Sequence, residues 1–140
     1  MFDRISRIPF LVQLIGISAL MMYVPAAHAL ALRHHAVGRP FFYMGTLFLF
    51  FAVLIALATA SNPRGHPARG RLLSLVAAFL IFPVLLAIPF NEAVPDTGLF
   101  NSWWEMVSAL TTTGGTLYAP DRLAPSLHLW RALVGWMGGF

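Results

Sequence analysis

The sequence predicts an all-α integral membrane protein. An N-terminal transmembrane helix pair is followed by one repeat of transmembrane helix, re-entrant pore loop and transmembrane helix, the last cut short by the chain end. Three observations carry this. The 140 residues are 59% hydrophobic and 10% charged, against about 25% charged residues in a typical soluble domain, so there is too little polar surface to cover a globule. Charged residues divide the chain into apolar runs of membrane-spanning length. One further apolar stretch, too short to span, stops in Thr-Thr-Thr-Gly-Gly.

The runs cover residues 8–32, 41–60 and 72–90. As helices they measure roughly 38, 30 and 28 Å, against a hydrocarbon core of about 30 Å. A fourth run opens near Pro125 and is still apolar at Phe140, as expected of a chain truncated within a helix. Arg4 and Arg7, with Ala27-His28-Ala29 further on, also resemble a secretory signal and its cleavage site. The run continues past Ala29 and exceeds a typical signal core, which favours a spanning helix. Pro25 and Pro83 predict kinks of the kind that neighbouring helices rescue. The loop 61–71, with two Pro and two Gly, forbids a helix through it. It divides the chain into a two-helix membrane hairpin, 1–70, and the repeat, 71–140.

All nine basic residues are Arg, and with five acids the net charge is +4. They are scattered singly without a basic stripe, so the basicity does not point to nucleic acid. Counted at helix ends, the N-terminus and the loop 61–71 hold five Arg (Arg4, Arg7, Arg64, Arg69, Arg71), and the other side holds three (Arg33, Arg39, Arg122). Positive charge favours the cytoplasmic side. The predicted topology therefore has a cytoplasmic N-terminus and the segment 91–124 outside. Cysteine is absent, which excludes disulfides, thiolate metal sites and Cys nucleophiles. The acids are dispersed in loops, and neither Gly-x-Ser-x-Gly nor a phosphate-binding glycine loop occurs. No enzyme and no cofactor is implied.

The segment after residue 99 is the informative one. Ser102-x-x-Glu105 reads as a capping box that opens a helix over 102–110. Such a helix is about 12 Å long. It ends at the Thr run, because Thr and Gly are poor helix formers. Irregular backbone at membrane depth is tolerated only when buried in protein or lining a water-filled path. The helix C-terminus carries about half a negative charge, which suits a cation. The carbonyls of Thr111, Thr112, Thr113 and Gly114, stacked in an extended strand, can replace the hydration shell of potassium. Gly114 supplies backbone angles closed to other residues.

Trp104-Glu105-Met-Val-Ser108-Ala-Leu-Thr111-Thr112-Thr113-Gly114 resembles the first selectivity-filter segment of the TrkH-type potassium uptake proteins, in the Trk/Ktr/HKT superfamily. Leu129-Trp130-Arg131-Ala-Leu-Val-Gly-Trp136-Met-Gly138-Gly139 resembles the helix that follows it there. The resemblance implies four such repeats around one pore, with this chain supplying one sector and inactive alone. It also implies the bacterial inner membrane, a TrkA-type cytoplasmic nucleotide-binding regulatory subunit, and a homodimer.

Arg131, about five residues inside the fourth run, needs a partner in the membrane, and Glu105 is the acid at matching depth. The pair is expected to brace the pore helix against the last helix. Trp103, Trp104, Trp130 and Trp136 read as interface anchors or packing behind the filter. Gly138 and Gly139 read as close-packing positions outside the filter, so Gly138→Ala is expected to leave selectivity intact. Two rivals stand beside this reading. One is a small helical membrane protein with a structural or assembly role. The other is a redox subunit ligated through His28, His34, His35, His66 or His128. The histidine spacing supplies no evident facing pair, and solvated or interfacial histidines are the simpler expectation.

Overall fold

A computed structural model describes residues 9–59 and 68–140. Arg4, Arg7, and the part of the expected loop that holds Arg64 and His66, lie outside the described residues. The described chain forms helices α1 (Phe10–Ala31), α2 (His35–Thr59), α3 (Ala68–Leu80), α4 (Phe82–Ala93), α5 (Leu99–Leu110) and α6 (Pro125–Gly139), with a 3₁₀ turn at Pro120–Arg122. Three stretches, Phe10–Ala31, His35–Thr59 and Leu75–Ala93, are long and apolar enough to cross a membrane. With such helices the chain is a multi-pass helical membrane protein.

Helices α1 and α2 form a hairpin with a turn of only residues 32–34. Arg33 takes a left-handed φ of 59°. The His34 amide reaches Ala29 O at 2.8 Å and the Arg33 amide reaches Leu30 O at 3.0 Å, a Schellman closure. The next helix starts at once, with the Val37 and Gly38 amides on His34 O. Arg39 and Pro40, expected in a loop, therefore sit in the first turns of α2. Arg39 is exposed there, and a helix end at the membrane boundary can hold a charge that the apolar centre cannot. Small residues let the two helices close up. A Cβ on Gly45 would lie 3.1 Å from Ala19 O, and one on Gly38 would lie 3.3 Å from Ala26 O. Between apolar helices in lipid, such close backbone approach supplies the packing that hydrophobic burial cannot.

The third span is broken rather than smooth. Helix α3 begins at Ala68, inside the segment expected to stay irregular to residue 71. The first-turn amides of a helix need no internal acceptor, so the chemistry that forbids a helix interior tolerates its start. Pro83 lacks an N–H and interrupts the ladder. Ile81 keeps a helical conformation and bonds to Ala77 O, but the Val84 amide turns to Ile81 O instead of Leu80 O. The carbonyl of Leu80 receives the indole N–H of Trp103 at 3.2 Å. A tryptophan on α5 thus satisfies the acceptor that the proline break releases.

The core lies where α2, α4, α5 and α6 meet. Phe41, Phe82, Leu86, Phe90, Met106, Trp130 and Val134 are all buried. Trp130 meets Phe41 edge-on at 5.4 Å and donates to Leu86 O at 3.4 Å. The hairpin is tied to α6 a second time, by His28 Nδ1 and Ser126 Oγ at 2.9 Å.

Candidate functional site

The segment from 97 to 118 leaves and rejoins one end of the bundle. Thr97, just before α5, is hydrogen-bonded through its hydroxyl to that of Tyr118, and the Tyr118 ring packs on Phe90. Arg122 lies over the same ring at 5.5 Å and reaches Pro95 O. Between these ends α5 descends through 12 residues, about 18 Å. Leu110 then meets Gly138, near the far end of α6.

The capping box is not formed. The helix starts earlier, with Gly98 as N-cap and no side-chain cap. Ser102 lies inside the helix, and its Oγ donates to Asn91 Oδ1 on α4 at 3.2 Å. Glu105 instead turns away from the helix start. Its Oε1 accepts from Thr116 Oγ1 at 2.9 Å and from the Leu117 amide. Arg131 Nε lies 3.0 Å from Oε2, with Glu105 fully buried and Arg131 18% exposed. Charge compensation in the bundle outweighs the few tenths to about 2 kcal/mol that a cap contributes. The ion pair places α6 against α5 at the level of Gly115, whose carbonyl also takes Ser108 Oγ at 2.8 Å and Arg131 Nη2 at 3.5 Å.

Helix α5 ends in the same closure as α1. The Thr112 amide reaches Ala109 O and the Thr113 amide reaches Ser108 O, both at 3.0 Å. This requires a left-handed residue, and Thr112 supplies it at φ 57°. A β-branched residue there is strained by about 1–3 kcal/mol. Thr111 stays near the helical region at φ −81°, ψ 3°. The four residues therefore do not form a uniform extended strand: Thr111 and Thr112 turn, and the irregular segment runs on from Thr113. The reason is the closure itself, which needs the amides of 112 and 113 to face back to α5.

That inward commitment of the amides has a counterpart. The Gly114 amide also bonds to Ser108 O, at 3.3 Å. Among the described residues, no donor reaches the carbonyls of Thr111, Thr112, Thr113 or Gly114. All four residues are exposed. Gly114 has φ 75°, with no atom within 4 Å of where a Cβ would stand. Thr112 and Gly114, with Ala109, His128, Arg131 and Gly135, line a cavity of about 280 Å³. Trp104 backs the segment, its ring 3.0 Å from the Cβ position of Gly115.

Ser108, Thr116 and the Leu117 amide carry the site's internal bonds, and nothing in the sequence assigned them. The buried acid was the available signal, since a carboxylate in an apolar bundle requires several donors. Trp103 and Trp130 pack and donate as described, and Trp136 is exposed beside Phe140. His128 donates from Nε2 to Pro120 O at 2.9 Å.

Part of the chain is similar to known transporters. Over 54 residues it is 39% identical to the Trk system potassium uptake protein TrkI of Halomonas elongata, which covers 38% of this chain and 11% of that protein. Over 93 residues it is 30% identical to an uncharacterized cation transporter of Methanocaldococcus jannaschii, 65% of this chain and 20% of that protein. The chain thus spans between a tenth and a fifth of the length of the curated relatives it matches. No protein-family profile matches it, and no solved structure does. The similarities support a cation transporter family.

Proposed function

We propose that this chain supplies one of four sectors of a potassium path across the bacterial inner membrane. The segment 97–118 acts as its re-entrant pore loop. The single observation that carries the reading is the division of labour at residues 111–114: amides spent on α5, carbonyls with no donor among the described residues. Such carbonyls stand in for water around a weakly hydrated cation. The end of α5 adds its partial negative charge. Potassium is the transported ion, and no resident cofactor takes part. The partners in this reading are the remaining sectors of the transporter, a TrkA-type cytoplasmic nucleotide-binding subunit, and a second copy. Expression together with the remaining sectors and the nucleotide-binding subunit, in cells without other potassium importers, should restore rubidium uptake. Uptake no greater than in vector controls would reject the reading.

The orientation proposed is N-terminus inside, with the turn before α5 outside, following the Arg asymmetry. The absence of native cysteine makes labelling clean. Thr97→Cys should react with an impermeant maleimide added to intact cells. Reaction only after the cytoplasmic face is opened would invert the topology.

A further inference from the structure

We infer that Gly138 is a positioning residue for ion selectivity, setting where the carbonyls of residues 111–114 stand. The inference rests on the potassium-path reading and deepens it. A Cβ on Gly138 would lie 1.7 Å from Leu110 O, 2.6 Å from Leu110 C and 2.9 Å from Leu110 Cα. All three are backbone atoms, so no side chain can rotate out of the way. An ordinary contact begins at 3.4 Å, so the two backbones would have to part by well over an ångström. The sequence alone led to the opposite expectation, that a methyl here only crowds a helix seam. The neighbour it meets is instead the last helical residue before Thr111.

The contact is specific to this glycine. Gly135, one turn earlier, would place its Cβ 3.4 Å from Ala109 O, and Gly139 would place its own 3.4 Å from the Thr112 methyl. Neither demands a shift. Displacement at Leu110 has nowhere to dissipate. Thr111 is held by its own hydroxyl on Val107 O at 2.8 Å. Thr112 is already in a strained conformation, its amide fixed on Ala109. Beyond it, Gly115 O is pinned by Ser108 and Arg131. A push at one end of a short segment anchored at the other must rotate the carbonyls between. Their number and field at the ion separate potassium from sodium.

The test measures rubidium and sodium uptake per surface copy, on expression together with the remaining sectors and the nucleotide-binding subunit, in cells without other potassium importers. Gly138→Ala should lower the rubidium-to-sodium ratio about tenfold, as expected for ångström-scale misplacement of binding groups. Gly45→Ala crowds the α1–α2 seam more mildly, its Cβ 3.1 Å from Ala19 O, and away from residues 111–114. It should lower copy number and keep the ratio. A parental ratio in Gly138→Ala at matched surface level overturns the inference, as does an equal fall in Gly45→Ala. Should Gly138→Ala not reach the surface, the purified variant in detergent gives the ratio instead, from the rubidium and sodium concentrations that protect it against thermal unfolding. A lowered ratio there supports the inference and an unchanged one overturns it. Gly114→Ser separates the two levels of argument. If it also keeps the ratio, the potassium-path reading itself fails. If it loses the ratio while Gly138→Ala keeps it, only the role of Gly138 fails.

Discussion

Arg131→Met is expected to destabilise the folded protein by about 3–5 kcal/mol, the loss typical of breaking a buried ion pair from one side. Glu105 is fully buried, and its Oε2 has no well-angled hydrogen bond among the described residues. The nearby guanidinium is what compensates that oxygen. Glu105→Gln is the milder change. The amide oxygen can keep the bonds from Thr116 and the Leu117 amide, and the orphaned Arg131 is partly exposed and can still reach Gly115 O. The double variant should recover much of the single Arg131 loss, because no charge is then left alone. Thermal unfolding in detergent, followed by loss of the monodisperse species, gives the cycle. Additive losses would mean that the pair is not coupled.

Gly114→Ser should spare folding and damage ion discrimination. Its Cβ would meet open space. The folding cost is then confined to a left-handed φ, about 1–2 kcal/mol. Thr112 shows that this segment already holds one side chain at such an angle. The discrimination should fall further, by about ten- to a hundredfold in the rubidium-to-sodium ratio, since the carbonyls on either side turn with the peptide planes. Wild-type discrimination at equal surface level would remove residues 111–114 from the ion path.

Hydropathy made the spans legible, because a bilayer of fixed thickness leaves few options for an apolar run of about twenty residues. The stop at Leu110 was equally legible from the Thr run. What could not be seen were features defined by a neighbouring helix. The N-cap of α5 falls at Gly98 instead of Ser102, and Glu105 faces α6 rather than the helix's own amides. The donor that Trp103 offers Leu80 exists only because Pro83 breaks a helix packed beside it. The start of α2 at His35 hangs on a three-residue turn whose left-handed member is an arginine, which no glycine advertises. In the site itself, Thr112 rather than Gly114 closes α5. A composition argument favours glycine for that job, yet the backbone closure on Ala109 O and Ser108 O falls at a threonine.

The hydrogen bond between His28 and Ser126, and the ring contact between Phe41 and Trp130, join residues far apart in the chain. The most extensive contacts around them join sequence neighbours, α1 with α2 and α5 with α4 or α6, and α2 also packs on α4. A chain emerging from the ribosome in order therefore completes the hairpin long before its final partner exists. During that interval the Phe41 ring lacks Trp130 and the His28 ring lacks its serine. The hairpin holds its shape on its own seam, where Gly38 and Gly45 let the backbones close up and the Tyr23 hydroxyl meets that of Thr46 at 2.9 Å. Helix α2 can already rest on α4 at that stage, and arrival of α6 adds the polar and aromatic ties that fasten the hairpin to the second half.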